Sequence, residues 1–234
     1  MTARPAPFEF DPAATAVIVV DMQNDFASPL GMFDRIGVPL GIVRQVIEPT
    51  RKVLDAARHA NVMIVYLAMQ FDEQLSNMGT AQAPNRVRHL LAGVGQHVVA
   101  PDGTDGRFLI SNTWNTRIID ELAPHDGELV IPKHRFSGFF ETELDTVLKE
   151  GGIEWLVFTG CTTSVCVEST LRDAYFRDYR CLLLTDCCAE PIGGTEERTN
   201  HDATVTIVES MLGWTSTSDA FLSTLELSQT LRSD

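Results

Sequence analysis

What most restricts the fold of this chain is the recurrence of short, uncharged apolar runs rich in β-branched residues, with helix-patterned segments between them. The runs are Ala16-Val17-Ile18-Val19-Val20, Val62-Met63-Ile64-Val65-Tyr66-Leu67, Leu129-Val130-Ile131, Trp155-Leu156-Val157-Phe158 and Cys181-Leu182-Leu183-Leu184. A strand that is apolar on both faces must be covered on both, so these runs read as a parallel sheet between helical layers. Segments 43–59 and 144–149 place apolar residues at the three- and four-residue spacing of helices. The order βαβαβαβ predicts an α/β fold, a three-layer αβα sandwich with a mainly parallel sheet and right-handed crossovers. A helix over 196–212 and a short strand near Trp214 complete it. The 234 residues suffice for one large core and nothing marks a boundary, so residues 1–234 are expected to form a single domain. Residues 68–113 read as one long irregular region, a length that in compact domains belongs to lids or interface segments.

A formal net charge of -14 opposes binding to a nucleic-acid backbone or an anionic membrane face. A small-molecule substrate fits better. The segment Met1 to Phe8 lacks the apolar run of a signal peptide, and no later stretch has the length of a membrane span, so the expected compartment is the cytoplasm. Of the five cysteines, Cys161 and Cys181 lie in strand-like runs, where a thiol packs as a small hydrophobe. The pair Cys187-Cys188 has no second pair at metal-binding spacing, and no metal is expected.

In open parallel sheets, ligands collect outside the carboxyl ends of the strands. Three such ends carry chemistry here. The first run ends at Asp21, the third leads to Lys133, and the fourth opens into Gly160-Cys161-Thr162-Thr163-Ser164-Val165-Cys166-Val167, followed by a helix over 164–177. Cys166 is thereby expected in a first helical turn, where free N–H groups and the helix dipole favour a thiolate. Asp21 can accept the thiol proton and Lys133 can neutralise the resulting charge. Backbone N–H groups of Thr162 and Cys166 can receive an oxyanion. Taken singly, the aspartate serves equally well as a turn cap, the lysine as a solvated charge and the cysteine as core. It is the coincidence of all three at one sheet edge that points to nucleophilic catalysis.

At these residues the chain resembles the isochorismatase-like cysteine hydrolases, a superfamily including nicotinamidases, N-carbamoylsarcosine amidohydrolases, biuret hydrolases and ureidoacrylate amidohydrolases. The anchors are Val19-Val20-Asp21-Met22-Gln23-Asn24, Pro132-Lys133 and the loop around Cys166. The resemblance implies that Asp21, Lys133 and Cys166 form a catalytic triad. It also implies a cis peptide between Cys161 and Thr162, an oxyanion hole at the amides of Thr162 and Cys166, and assembly as a homodimer or homotetramer. Within the superfamily the chain is most similar to the ureidoacrylate amidohydrolases of pyrimidine breakdown. The supporting segments are Lys133-His134-Arg135-Phe136-Ser137-Gly138-Phe139-Phe140-Glu141-Thr142, Val165 to Asp173 and Phe71-Asp72-Glu73-Gln74. Two departures matter. Where nicotinamidases carry an aspartate-and-histidine metal cluster, this chain has Leu67-Ala68-Met69-Gln70-Phe71, which removes that reading and its metal. Ureidoacrylate enzymes place an asparagine and a tryptophan where Met69 and Phe71 stand.

The expected activity is cofactor-free hydrolysis of a C–N bond in a small linear ureido or carbamoyl amide, foremost ureidoacrylate, with biuret, triuret or an N-carbamoyl amino acid as alternatives. Gln23 and Gln70 are candidates for recognising the amide, Phe26, Phe71 and Trp114 for pocket walls, and Arg135, with Arg86 and Arg88, for a substrate carboxylate. Vinyl-ether chemistry without a cysteine and a purely binding role are the competing classes. Cys166 argues against the first.

Overall fold

Strand β1 (Thr15–Val20) is buried at every residue, because its alternate side chains enter two different cores. Val17 and Val19 face one apolar cluster, and Ala16, Ile18 and Val20 face the other. The computed structural model describes residues 1–193, 197 and 199–233. The remaining strands are β2 (Met63–Met69), β3 (His97–Val99), β4 (Asp105–Arg107), β5 (Leu129–Lys133), β6 (Trp155–Cys161), β7 (Arg180–Ala189) and β8 (Trp214–Ser216). The helices are α1 (Asn24–Ala27), α2 (Met32–Arg35), α3 (Leu40–Arg44), α4 (Ile47–His59), α5 (Pro84–Leu91), α6 (Leu144–Glu150), α7 (Glu168–Tyr175), α8 (Asn200–Ile207) and α9 (Ser218–Ser233).

Among the described residues, six strands pair in the order β5-β2-β1-β6-β7-β8, all parallel. Helices α4 and α9 cover one face through Val53, Leu54, Phe221 and Leu225. Helices α6 and α7 cover the other through Leu144, Leu148, Leu171 and Ala174. This is the three-layer sandwich expected from the apolar runs. The chain builds outward from β1 through β2 to β5, then crosses to β6 and builds the other way, so the topological switch lies between β1 and β6. Gly160 stands opposite Val20 there, and any Cβ on it would strike the Val20 carbonyl.

Several boundaries differ from the sequence-based expectation. Segment 43–59 divides into α3 and α4, because Pro49 would clash with the carbonyl of Gln45 in an unbroken helix. Residues 68–113 are not one irregular loop. They hold the end of β2, the helix α5 and an antiparallel β3–β4 hairpin. The three-residue strands β3 and β4 are too short to show a hydrophobic period. Strand β7 runs on through Cys187 and Cys188. Asp186 is tolerated within it because its carboxylate accepts from the Ser218 N–H (2.8 Å) and hydroxyl (2.5 Å) at the start of α9. The helix expected over 196–212 is α8 followed by a π-helical turn (Val208–Leu212), while positions 196 and 198 lie outside the described residues. Among the described residues no helix is long and apolar enough to cross a membrane.

Candidate active site

Asp21 is the first residue past β1. Its backbone turns at φ 52°, a left-handed conformation that aspartate adopts more readily than most residues. Its N–H donates to Leu67 O (2.9 Å), so the turn stays tied to β2. The carboxylate faces inward with 1 % of its surface exposed. Asp21 Oδ1 accepts the Met69 N–H at 3.0 Å, and Oδ2 lies 2.8 Å from Lys133 Nζ. Lys133, the last residue of β5, is wholly buried and also contacts the Arg135 carbonyl (3.3 Å) and Met69 Sδ (3.7 Å).

Cys166 reaches the same point from β6. Strand β6 ends at Cys161, the Cys161–Thr162 peptide is cis, and the chain then enters a π-helical turn (Thr163–Val167) before α7. Val165 and Val167 N–H groups both donate to Thr162 O, at 3.1 and 3.2 Å. Glu190, past the end of β7, holds the turn from outside by accepting the Ser164 N–H at 2.6 Å. Cys166 thus sits in a π-turn and not in the first turn of an α-helix. Its thiol interacts with both Asp21 and Lys133. Cys161 Sγ donates to the Asp21 carbonyl (3.3 Å), so this second thiol braces the carboxylate's backbone.

The electrostatics differ from the thiolate expected at a helix start. Burial pushes the Cys166 thiol well above the usual range, the Asp21 charge pushes it further, and Lys133 opposes both. At rest the sulfur therefore carries its proton. Burial also works against the Lys133 ammonium, but the Asp21 charge 2.8 Å away outweighs it and its pKa is raised. A buried ammonium–carboxylate pair beside a protonated thiol is a set poised for proton transfer from sulfur to carboxylate.

These groups meet a cleft of about 390 Å³ at the β1/β6 switch point, lined by Asp21, Thr162 and Cys166 on its floor. Of the residues considered for substrate contact, Phe26 and Arg88 line this cleft. The others lie elsewhere. Gln23 is fully buried and its amide is spent on the backbone: Nε2 donates to Met69 O (3.0 Å) and Thr116 O (2.8 Å), while Oε1 accepts the Met69 N–H (2.8 Å). It is a strut beneath the site. Phe71 is wholly buried against the edge of His89, and neither Gln70 nor Trp114 is among the cleft's lining residues. Arg135 points away, donating to the Asn77 and His134 carbonyls (2.9 and 2.7 Å) and covering Phe140 at 5.1 Å. Arg86 is held by the Leu75 carbonyl (2.7 Å). Arg88 does line the cleft, together with residues the sequence did not single out: Met32, Phe33, His89, Leu109, Phe136 and Ile192. They come from five separate segments, and no spacing in the sequence announces their convergence.

The model of the isochorismatase domain matches residues 15–220. A cysteine hydrolase from Pseudomonas syringae pv. phaseolicola is similar over 97% of this chain and 98% of its own, with 28% identity and a TM-score of 0.77. An N-carbamoylsarcosine amidase from Thermoplasma acidophilum is similar over 88% and 96%, with 26% identity and a TM-score of 0.63. An isochorismatase-like hydrolase from Alkaliphilus metalliredigens is similar over 89% and 97%, with 26% identity and a TM-score of 0.64. The extent of the domain match, together with these structural neighbours, shows that the chain belongs to the isochorismatase-domain family of hydrolases.

Proposed function

We propose that the protein is a cysteine-dependent amidohydrolase that cleaves a C–N bond of a small linear ureido or carbamoyl amide. The observation that carries this reading is the buried 2.8 Å contact between Lys133 Nζ and Asp21 Oδ2, with the Cys166 thiol against both at the floor of the cleft. Asp21 takes the thiol proton as sulfur attacks the carbonyl carbon, which avoids a free thiolate in a site where burial disfavours one. Lys133 holds the negative charge that the pair then shares. Developing charge on the carbonyl oxygen is received by the backbone N–H groups of Thr162 and Cys166. Among the described residues, the Thr162 N–H has no protein acceptor of its own. The proton on Asp21 passes to the departing nitrogen, the C–N bond breaks, and an acyl-enzyme remains. Water, losing its proton to Asp21, releases the acid and restores the thiol.

Ureidoacrylate is the first substrate to test, on the likeness of the segments around Lys133 and Cys166. An N-carbamoyl amino acid is the second reading, supported by the similarity to an N-carbamoylsarcosine amidase and by the apolar walls of the cleft. Ammonia release from ureidoacrylate, biuret, triuret and N-carbamoyl amino acids is the direct assay. Cys166→Ala and Asp21→Asn are each expected to lower kcat by at least ~10³-fold. Mass spectrometry after exposure to a small neutral electrophile should find Cys166 modified ahead of the other four cysteines. Turnover that survives Cys166→Ala, or labelling without preference, overturns the proposal.

A further inference from the structure

The cleft has more apolar wall than a short ureido compound can cover. Phe26, Phe33, Leu109, Phe136, Val165 and Ile192 face a space of about 390 Å³, roughly the share of thirteen waters in the liquid. Away from the floor, the polar side chains on it are two neighbours from α5, Arg88 and His89.

His89 is 8 % exposed, and its ring packs edge-on to Phe71 (5.0 Å) and against Phe136 (5.5 Å), which fixes the imidazole plane. Its Nδ1 lies 2.7 Å from the Asn85 carbonyl. A carbonyl only accepts, so Nδ1 carries the proton and Nε2 presents a lone pair. Burial lowers the pKa of this imidazole, and the charges of Lys133 and Arg135 lower it further, which keeps it neutral at pH 7. Arg88 stands where the cleft meets the adjoining groove of Phe136 and Phe140. Among the described residues its guanidinium has neither an ion pair nor a hydrogen bond, although the chain carries a net charge of -14, whereas the Arg86 and Arg135 side chains are held by carbonyls.

Building on the amidohydrolase reading above, we propose that the cleft selects a ureido acid with a bulky apolar body, such as an N-carbamoyl amino acid bearing an aromatic or branched aliphatic side chain. His89 Nε2 accepts a carbamoyl N–H, the Phe26, Phe33 and Leu109 walls take the side chain, and the Arg88 guanidinium pairs with the carboxylate. Biuret and triuret are polar along their whole length and would place N–H and C=O groups against carbon without partners. Ureidoacrylate would satisfy Arg88 and leave the apolar walls wet. A planar guanidinium suits a carboxylate in a way the compact ammonium of Lys133, already spent on Asp21, does not.

The test uses the intact protein and measures ammonia release from N-carbamoylphenylalanine, N-carbamoylglycine, ureidoacrylate, biuret and the carboxamide of N-carbamoylphenylalanine. The phenylalanine derivative is expected to exceed the glycine derivative, ureidoacrylate and biuret by roughly tenfold or more in kcat/KM. Its acid form should exceed its carboxamide by a similar factor. Arg88→Ala should bring the acid-to-carboxamide ratio close to one, and Arg88→Lys should restore part of it. Equal rates for the glycine and phenylalanine derivatives, a preference for biuret or ureidoacrylate, or an unchanged ratio in Arg88→Ala would overturn this assignment while leaving a Cys166-dependent hydrolase in place. If ammonia release is the same in Cys166→Ala, the amidohydrolase reading itself fails. Calorimetric binding of N-carbamoylphenylalanine to Cys166→Ala then still tests the cleft, since adding Arg88→Ala should weaken it about tenfold and no weakening would refute the pairing.

Discussion

Lys133 is an ammonium with no exposed surface, and among the described residues the only carboxylate it meets is Asp21, itself 1 % exposed. Breaking such a pair from one side leaves an uncompensated buried charge. Lys133→Met is expected to cost roughly 3–5 kcal/mol of stability, and the double variant Asp21→Asn/Lys133→Met markedly less, both without turnover. Urea midpoints of the two single variants and the double variant measure this coupling. Asp25 poses the opposite problem. It is wholly buried, Oδ1 accepts from Met32 N–H (3.0 Å) and Asn115 Nδ2 (2.6 Å), and Oδ2 accepts from Leu109 N–H (2.6 Å), so one carboxylate anchors two segments that line the cleft. Burial pushes its pKa up to about 6 from 3.8, against the pull of those hydrogen bonds. The folded state therefore binds this proton more tightly than the unfolded chain. The resulting stabilisation is complete below pH 3.8 and is lost as pH rises to about 6, a change of about 3 kcal/mol at most. Asp25→Asn should be less stable at every pH, with N–H donors left facing an amide, but should show a flatter dependence between pH 4 and 6.5. Parallel urea titrations across that range would expose equal slopes if the assignment were wrong.

The helix that follows Cys166 and the loop that follows Lys133 are two elements joined by few bonds. Thr170 of α7 donates to the Cys166 carbonyl (2.7 Å) and accepts the Gly138 N–H (3.0 Å), and Ser137 donates to Asp173 (2.5 Å) one turn further on. A Cβ on Gly138 would run into the Leu67 side chain, which would have to shift. Thr170→Val keeps the volume and orphans the Gly138 N–H, so about 1–3 kcal/mol of stability should go with a fall in kcat, while Thr170→Ser should recover most of both. Kinetics and urea unfolding on the two variants decide it. None of this linkage was legible in the sequence, because its bonds run between residues more than thirty apart in the chain. The apolar runs were legible. Burial on both faces leaves continuous β-branched segments, and Asp21, Lys133 and the Cys166 loop follow three of them. What a strand delivers to the sheet edge can be read from its end. What a loop delivers to a cleft cannot, which is why Gln23 and Phe71 looked like substrate contacts and proved to be interior struts, whereas Phe33, Leu109 and Ile192 gave no sign of their position.

At the scale of the whole molecule, both chain ends close on the same side of the sheet. The N-terminal segment bridges to β8 through Arg4 and Thr215, Phe8 stacks on Trp155 at 4.4 Å and lies 5.2 Å from Trp214, and Phe10 stacks on Phe221 of α9 at 5.6 Å. Phe221 is wholly buried in the cluster that also holds Val53 and Leu54 of α4 and Val17 and Val19 of β1. The first strand, a middle helix and the last helix thus share one continuous apolar layer, which leaves little room for part of the chain to unfold alone. Unfolding in urea is expected to be a single transition, with Trp155 and Trp214 fluorescence coincident with far-ultraviolet circular dichroism. Phe221→Ala removes a ring from the middle of that layer and should cost about 3–5 kcal/mol, moving both transitions together with the slope unchanged. If α9 were instead an appendage, the variant would split the curves, with fluorescence shifting ahead of the dichroism, and the one-domain reading of residues 1–234 would fail with it.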